Sequence, residues 1–376
     1  MRIGFDAKKV FTNYTGLGNY ARNLLSGLAE FYPENEYHLY VPSVKRNKET
    51  SLFLDNPVFN TQISHAAIKA YWRSFSICNQ LKKDDIELFH GLSHELPLNI
   101  SSSKIKSIVT CHDLISLKFP EWYPALDRMM YNFKFKRSCR NADTIIAISE
   151  STKNDIVKYY NIDPLKIQVV YPSFDNVFLQ SNDSSYNEII LKQLALPNDY
   201  LLYVGSVTER KNLLSVIKAI EMLSSEHQLP LVVVGNGRSY KNKVQEYISE
   251  KKLSQKIIWL ENISDNSVLQ IIYQHAQIFI YPSFYEGFGM PVMEAMLCKT
   301  PVITSNTASL PEAGGPDSYY IDPNNAEQIA EGIKKILSDE AMRNNMIEKG
   351  FNYVQKFSRK KTASDIISVY QQTLNL

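Results

Sequence analysis

The stretch Gln277-Ile278-Phe279-Ile280-Tyr281-Pro282-Ser283-Phe284-Tyr285-Glu286-Gly287-Phe288-Gly289-Met290-Pro291-Val292-Met293-Glu294-Ala295 carries the reading of this chain. A short apolar run, Gln277–Tyr281, leads into a loop with two glycines, and then into a helical stretch with proline in its first turn, where a missing N–H costs nothing. Strand, glycine-bearing loop and helix form the repeating unit of a parallel α/β sheet. The loop lies where such sheets bind ligands, outside the carboxyl ends of the strands. The N–H groups of Gly287, Phe288, Gly289 and Met290 can face an anion there. Seven residues separate two carboxylates, Glu286 and Glu294. Carboxylates accept paired hydrogen bonds from vicinal diols such as sugar or ribose hydroxyls. The plainer alternative is a pair of glutamates on a helix surface.

The same unit recurs in both directions from this point. Strand candidates in the second half are Tyr200–Val204, Leu231–Val234, Ile257–Leu260, Gln277–Tyr281, Val302–Thr304 and Tyr319–Ile321, with helices such as Leu213–Leu223 and Ala326–Leu337 between them. In the first half they are Arg2–Asp6, Tyr37–Val41, Ile86–Phe89, Ile105–Thr110, Thr144–Ile148 and Ile167–Val170, and a long amphipathic helix begins near Leu17. The polar run Ser181-Asn182-Asp183-Ser184-Ser185 suggests a linker between about Asn176 and Asp199. At roughly 100–200 residues per domain, the 376 residues make two domains. We expect 1–177 as the first, with a helix in 356–376 packing back on it, and 190–355 as the second. Neither short-period repeats nor low-complexity tracts occur.

Composition narrows the function. Lys plus Arg is 41 against 39 for Asp plus Glu, a net charge of +2, which is no basic footprint for nucleic acid. The four cysteines are scattered without a Cys-x-x-Cys pair, so neither a zinc site nor a disulfide framework is expected. The sequence opens directly on a strand-like run, and no apolar stretch of about 18 residues occurs. The expectation is a cytoplasmic protein, with peripheral contact at the inner face of the plasma membrane left open.

Other strand ends hold further candidates. Val204-Gly205-Ser206-Val207-Thr208-Glu209-Arg210-Lys211-Asn212 places a glycine after a strand and two cations at a helix start, a combination suited to a diphosphate. An Arg-Lys pair can equally be solvated. Gly235, in Val234-Gly235-Asn236-Gly237, is a glycine turn that could be no more than a turn. Gly16-Leu17-Gly18 follows the first strand; a tight turn and an anion site fit it equally, and it is not Gly-x-Gly-x-x-Gly because position 21 is Ala. His112, in Thr110-Cys111-His112-Asp113, could hydrogen-bond a sugar hydroxyl or be a satisfied structural histidine. His90 and His94 end another strand and could line the same cleft. The run Tyr131-Asn132-Phe133-Lys134-Phe135-Lys136-Arg137 is basic and aromatic. It could face a lipid-linked saccharide at a membrane or be a solvated helix face.

At Glu286-Gly-Phe-Gly-Met-Pro-Val-Met-Glu294-Ala-Met the chain resembles the retaining GT-B glycosyltransferases, a family 4-like group that includes bacterial mannosyl- and glucosyltransferases of polysaccharide assembly. The resemblance covers essentially the whole chain. It is supported by Gly16-Leu17-Gly18, His112-Asp113-Leu114, Ala142-Asp143 with Ser149-Glu150-Ser151, Arg210-Lys211-Asn212 and Leu310-Pro311-Glu312. It implies an α/β GT-B fold, two Rossmann-like domains facing across a cleft. By the same resemblance Glu286 contacts donor-sugar hydroxyls and Glu294 the nucleotide ribose. Gly287, Phe288 and Gly289 supply backbone contacts, Arg210 and Lys211 neutralise the diphosphate, Gly18 approaches it, and His112 meets the donor sugar. Three positions depart from the family pattern. Ser206 stands where many relatives place Arg, Lys299 where they often have Gly, and Arg359 where they often have Trp. A non-glycine held left-handed at 299 would cost roughly 1–2 kcal/mol.

The implied reaction moves a hexose from a nucleotide-diphosphate sugar to an acceptor hydroxyl with retention. Phe5-Asp6-Ala7 and Thr15-Gly16-Leu17-Gly18-Asn19-Tyr20 look most like enzymes using GDP-mannose. The expected partners are that donor and a saccharide or lipid-linked saccharide acceptor. No Asp-x-Asp occurs, so neither metal nor other cofactor is expected. Rival readings are a GT-B phosphorylase or nucleotide-sugar epimerase, and a two-domain sugar-binding protein without catalysis.

Overall fold

The computed structural model describes residues 1–180 and 183–376, so Ser181 and Asn182 of the polar run lie outside the described residues. The chain divides into two units, Met1–Ser173 with Phe357–Leu376, and Phe174–Lys356. Within the stretch suggested as a linker, Asn176–Leu179 forms a 3-10 turn and Ser184–Gln193 a helix.

The first unit is built on seven parallel strands: β1 (Arg2–Asp6), β2 (Glu36–Val41), β3 (Phe59–Ile63), β4 (Leu88–Gly91), β5 (Lys106–Cys111), β6 (Thr144–Ala147) and β7 (Ile167–Val169), in the order β3-β2-β1-β4-β5-β6-β7. Strands covered on both faces read as unbroken apolar runs, and Leu88, Phe89, Ile108 and Val109 are fully buried accordingly. β3 was not expected. Only Phe59 of its five residues is buried, because an edge strand with one solvated face carries little apolar signal. β4 starts two residues later than the apolar run Ile86–Phe89, because Ile86 donates its N–H to the Leu81 carbonyl and closes the preceding helix.

Helix Arg359–Leu374 completes this unit. Tyr370 OH lies 2.7 Å from His90 Nδ1, and Thr373 pairs with Thr144 at 2.8 Å. The Arg359 side chain crosses helix Gly16–Phe31 so closely that a Cβ on Gly27 would come within 2.7 Å of its Cγ.

The second unit holds six parallel strands: β8 (Leu201–Val204), β9 (Leu231–Val234), β10 (Ile257–Leu260), β11 (Ile278–Tyr281), β12 (Val302–Ser305) and β13 (Tyr319–Ile321), ordered β10-β9-β8-β11-β12-β13. Val216, Ile217 and Ile220 of helix Leu213–Glu221 pack with Ile329 and Ile333 of helix Ala326–Ser338 over Leu231, Val233 and Ile303. Each such side chain withdrawn from water contributes about 1.5–3 kcal/mol. In both sheets the strand order reverses beside the first strand, between β1 and β4 and between β8 and β11. That reversal opens a crevice at the carboxyl ends of those two strands.

Candidate active site

Arg210 and Lys211 follow β8, and Glu286 follows β11, so the three flank the reversal point of the second sheet. The structure brings them into direct contact. Arg210 Nη1 and Lys211 Nζ each lie 2.6 Å from Glu286 Oε1, and Tyr281 OH donates to the same oxygen at 3.1 Å. The turn bearing the cations is pinned to the loop after β11. Asn212, held left-handed at φ 57°, donates to the carbonyls of Pro282 (3.1 Å) and Pro323 (2.7 Å). Arg210 Nη1 also donates to Tyr285 O, and Phe284 N–H to Arg210 O.

Burial by itself would push the Glu286 carboxyl up, but Lys211 and Arg210 outweigh it and hold it at about 2. Burial lowers Lys211 to about 8, against the upward pull of Glu286. The cluster is therefore an ionised triad with one net positive charge. Its sign suits an anion, and burial keeps water from screening it.

Glu294 lies in the second turn of helix Met290–Leu297, which no side chain caps at its N-terminus. Tyr273 OH donates to Glu294 Oε2 at 3.1 Å. Burial pushes this carboxyl up to about 7, Tyr273 opposes the rise, and Asp175 adds to it. Asp175 is held by Asn266 at 3.1 Å. The two glutamates thus differ in charge state at neutral pH, Glu286 fully ionised and Glu294 divided between its forms.

The glycines separate by cause. Gly289, at φ 118°, sits where a Cβ would come within 2.9 Å of Leu310 Cδ2, so the turn onto the helix requires glycine. Gly235 is required by packing, since its Cβ would fall 2.0 Å from the Gly205 carbonyl oxygen. Gly287 and Phe288 lie between Glu286 and this turn, and Ser309 Oγ lies 2.8 and 2.9 Å from the carbonyls of Glu286 and Phe288, bracing the loop.

Three named candidates belong to the first unit. Gly18 is needed because Asn13 O would lie 1.8 Å from a Cβ there, and its N–H already points to Asn13 Oδ1 at 3.0 Å. Gly16 opens helix Gly16–Phe31 and faces no atom within 4 Å. His112 immediately follows β5, buried, with Nε2 2.9 Å from the Leu92 carbonyl. A carbonyl only accepts, so Nε2 carries the proton and Nδ1 keeps its lone pair. Burial holds His112 neutral, with its pKa lowered to about 3. Tyr20 packs edge-on to its ring at 4.7 Å, tying the Gly16–Gly18 helix to the His112 loop.

His90 and His94 are both buried and hydrogen-bonded within the first unit. His90 bonds Tyr370 and Thr110, and His94 Nε2 accepts the His112 N–H at 3.0 Å. Among the described residues no group of His, Cys, Asp or Glu is arranged to hold a metal ion, and no helix is long and apolar enough to cross a membrane.

Sequence reasoning missed Tyr281 and Tyr273, which hydrogen-bond the two glutamates. It also missed Ser309, 23 residues beyond Glu286. A tyrosine at a buried strand end is a faint signal for the first; nothing local marks the others.

Comparison with known proteins gives the family and the fold. Residues 14–176 match the model for Glycosyltransferase Family 4, and residues 187–353 that for Glycosyl transferases group 1. The chain is 25% identical to O-antigen chain mannosyltransferase B of Escherichia coli, over 99% of this chain and 100% of that protein. It is 27% identical to the O-antigen chain mannosyltransferase RfbU of Salmonella typhimurium, over 77% and 74%. Among solved structures, Anabaena HepE in complex with UDP aligns with a TM-score of 0.78 at 14% identity, over 99% of this chain and 100% of that one. Sucrose-phosphate synthase from Thermosynechococcus elongatus aligns with a TM-score of 0.79 at 20% identity, over 100% and 99%. The likeness gives the fold as GT-B, and with the two domain matches the chain belongs to the glycosyltransferases built from a Family 4 domain followed by a group 1 domain.

Proposed function

We propose that the protein transfers a hexose, with mannose the favoured sugar, from a nucleotide-diphosphate sugar to a saccharide or lipid-linked saccharide hydroxyl in polysaccharide assembly, with retained anomeric configuration and no metal. The observation that carries this reading is the Arg210–Glu286–Lys211 triad at the reversal point of the second sheet. Mannose is favoured because the relatives above are named as mannosyltransferases of O-antigen chains. A nucleotide donor is favoured because the HepE structures hold UDP or UDP-glucose.

In this reading the bond from the sugar anomeric carbon to the diphosphate oxygen breaks, and a bond to the acceptor oxygen forms on the same face. The acceptor proton passes to the leaving diphosphate. Arg210, Lys211 and the uncapped helix at Met290 stabilise the charge that gathers on that group, the part a cation takes elsewhere. Oε1 of Glu286 is taken by the two cations, leaving Oε2 to accept from sugar hydroxyls. Glu294 accepts from the ribose diol. His112 of the first unit is neutral, with Nδ1 able to accept from a hydroxyl.

The test offers GDP-mannose and UDP-sugars with a mannose-bearing acceptor in excess chelator, and reads the linkage from the anomeric NMR coupling. The expected product is α-linked from an α-linked donor, at a rate the chelator does not change. A β-linked product removes retention, and activity restored only by magnesium or manganese removes the metal-free claim. Nucleotide sugar consumed without an acceptor, to yield a different nucleotide sugar, points to an epimerase.

A further inference from the structure

Helix Ala125–Asn141 of the first unit has two opposed faces. Its inward face is accounted for: Phe135 stacks on His94 at 4.3 Å, Tyr131 stacks on Phe135, Ser138 Oγ accepts the Leu96 N–H, and Cys139 is fully buried. The outward face is apolar without cover. Leu126, Met129, Met130 and Phe133 are 74%, 66%, 46% and 61% exposed. At 3.6 residues per turn these four share one arc of roughly 100°, directly opposite Tyr131 and Phe135.

The same arc continues toward the helix C-terminus through Arg137 and Arg140, both exposed, and Lys134 and Lys136 lie on its two sides. Against five basic residues the helix carries one acidic residue, Asp127.

A second exposed apolar segment belongs to the same neighbourhood. Ile68 and Tyr71 are 69% and 59% exposed, and Tyr71 stacks with Phe75. Arg73, between them, shares Glu95 with Lys134 of the helix, at 2.5 and 3.8 Å.

We propose that this face docks the protein on an anionic lipid bilayer. The apolar arc enters the boundary between headgroups and acyl chains, and Lys134, Lys136, Arg137 and Arg140 meet lipid phosphates. Charge complementarity selects this occupant. A protein partner would satisfy the apolar arc as well, but the basic residues bordering it on both sides and at its end match a surface that is uniformly negative.

The experiment is flotation of the full chain with phosphatidylglycerol–phosphatidylcholine vesicles, compared with phosphatidylcholine alone. It involves no sugar transfer, so its outcome is independent of the proposed reaction. Wild type is expected to float with the anionic vesicles and to be released as salt shortens the screening length from about 10 to about 3 Å. Met129→Asp with Phe133→Asp, and separately Arg137→Ser with Arg140→Ser, should each lower partitioning by about tenfold or more. All four positions are exposed, and an unchanged melting temperature would verify the fold. Wild type that stays unbound, or double variants that float like wild type, overturn the proposal. Self-association of wild type that the Met129→Asp, Phe133→Asp variant abolishes, with no vesicle binding, assigns the face to a second copy instead.

Discussion

Replacing Glu286 by Gln removes the one negative charge of the triad while preserving its shape. Burial resists ionisation of this carboxyl, yet Lys211 and Arg210 bring it from 4.5 to about 2. At about 1.4 kcal/mol per unit, that is about 3 kcal/mol of net favourable interaction with the two cations, similar to the roughly 3–5 kcal/mol lost when one member of a buried pair is removed. The shift is downward, so this stability is fully present above 4.5 and is lost as pH falls toward 2. Urea unfolding at pH 7 should therefore show Glu286→Gln less stable by about 3 kcal/mol. A nucleoside diphosphate supplies the missing negative charge, so saturating GDP or UDP should stabilise the variant more than wild type while transfer is abolished. A loss below about 1 kcal/mol, the value of a solvated pair, or equal stabilisation of both proteins by the nucleotide, would refute the view that Glu286 and the diphosphate share the same cations.

Arg210→Ala with Lys211→Ala should weaken nucleoside diphosphate binding by about 1–3 kcal/mol per lost charged hydrogen bond; unchanged affinity by calorimetry would exclude them as the anion site. Glu294, raised from 4.5 to about 7, favours the folded state below 4.5 and loses that contribution as pH rises through 7. Glu294→Gln should flatten this decline by up to about 3 kcal/mol, and Glu294→Ala should weaken the bare nucleotide; pH-dependent melting identical to wild type would count against the buried carboxyl. Lys299 adopts φ 59° at the end of the Glu294 helix, so Lys299→Gly should raise stability by about 1 kcal/mol, less what is lost with its contact over Phe351. A lower melting temperature would show that contact to be the larger effect.

Much of the architecture was legible in the sequence because parallel strands buried on both faces are written as plain apolar runs. Leu231–Val234 and Ile257–Leu260 begin and end where the text alone placed them. β3 was not legible, since an edge strand of Asn, Thr and Gln has only Phe59 to betray it. In the site, charge and glycine stood out at strand ends, so Glu286, Arg210 and Lys211 could be named. Their meeting on one carboxylate oxygen could not, because it depends on β8 and β11 being neighbours, and 73 residues lie between Val204 at the end of β8 and Ile278 at the start of β11. Gly235 and Gly18 show the opposite difficulty. Both look like phosphate-loop glycines, and the structure gives each a steric reason in the carbonyl oxygens of Gly205 and Asn13.

The helix Arg359–Leu374 has a consequence for how the molecule is made. The first unit contains Tyr370, the hydrogen-bond partner of His90 in its core, but Tyr370 is translated only after all of Phe174–Lys356. Domains ordinarily fold as units in the order of synthesis. Here the second unit can close while the first still lacks a piece, with His90 Nδ1 without its tyrosine and helix Gly16–Phe31 uncovered where Arg359 will lie. The unit begun first is thus completed only by residues 357–376, which are made after the whole of the second unit.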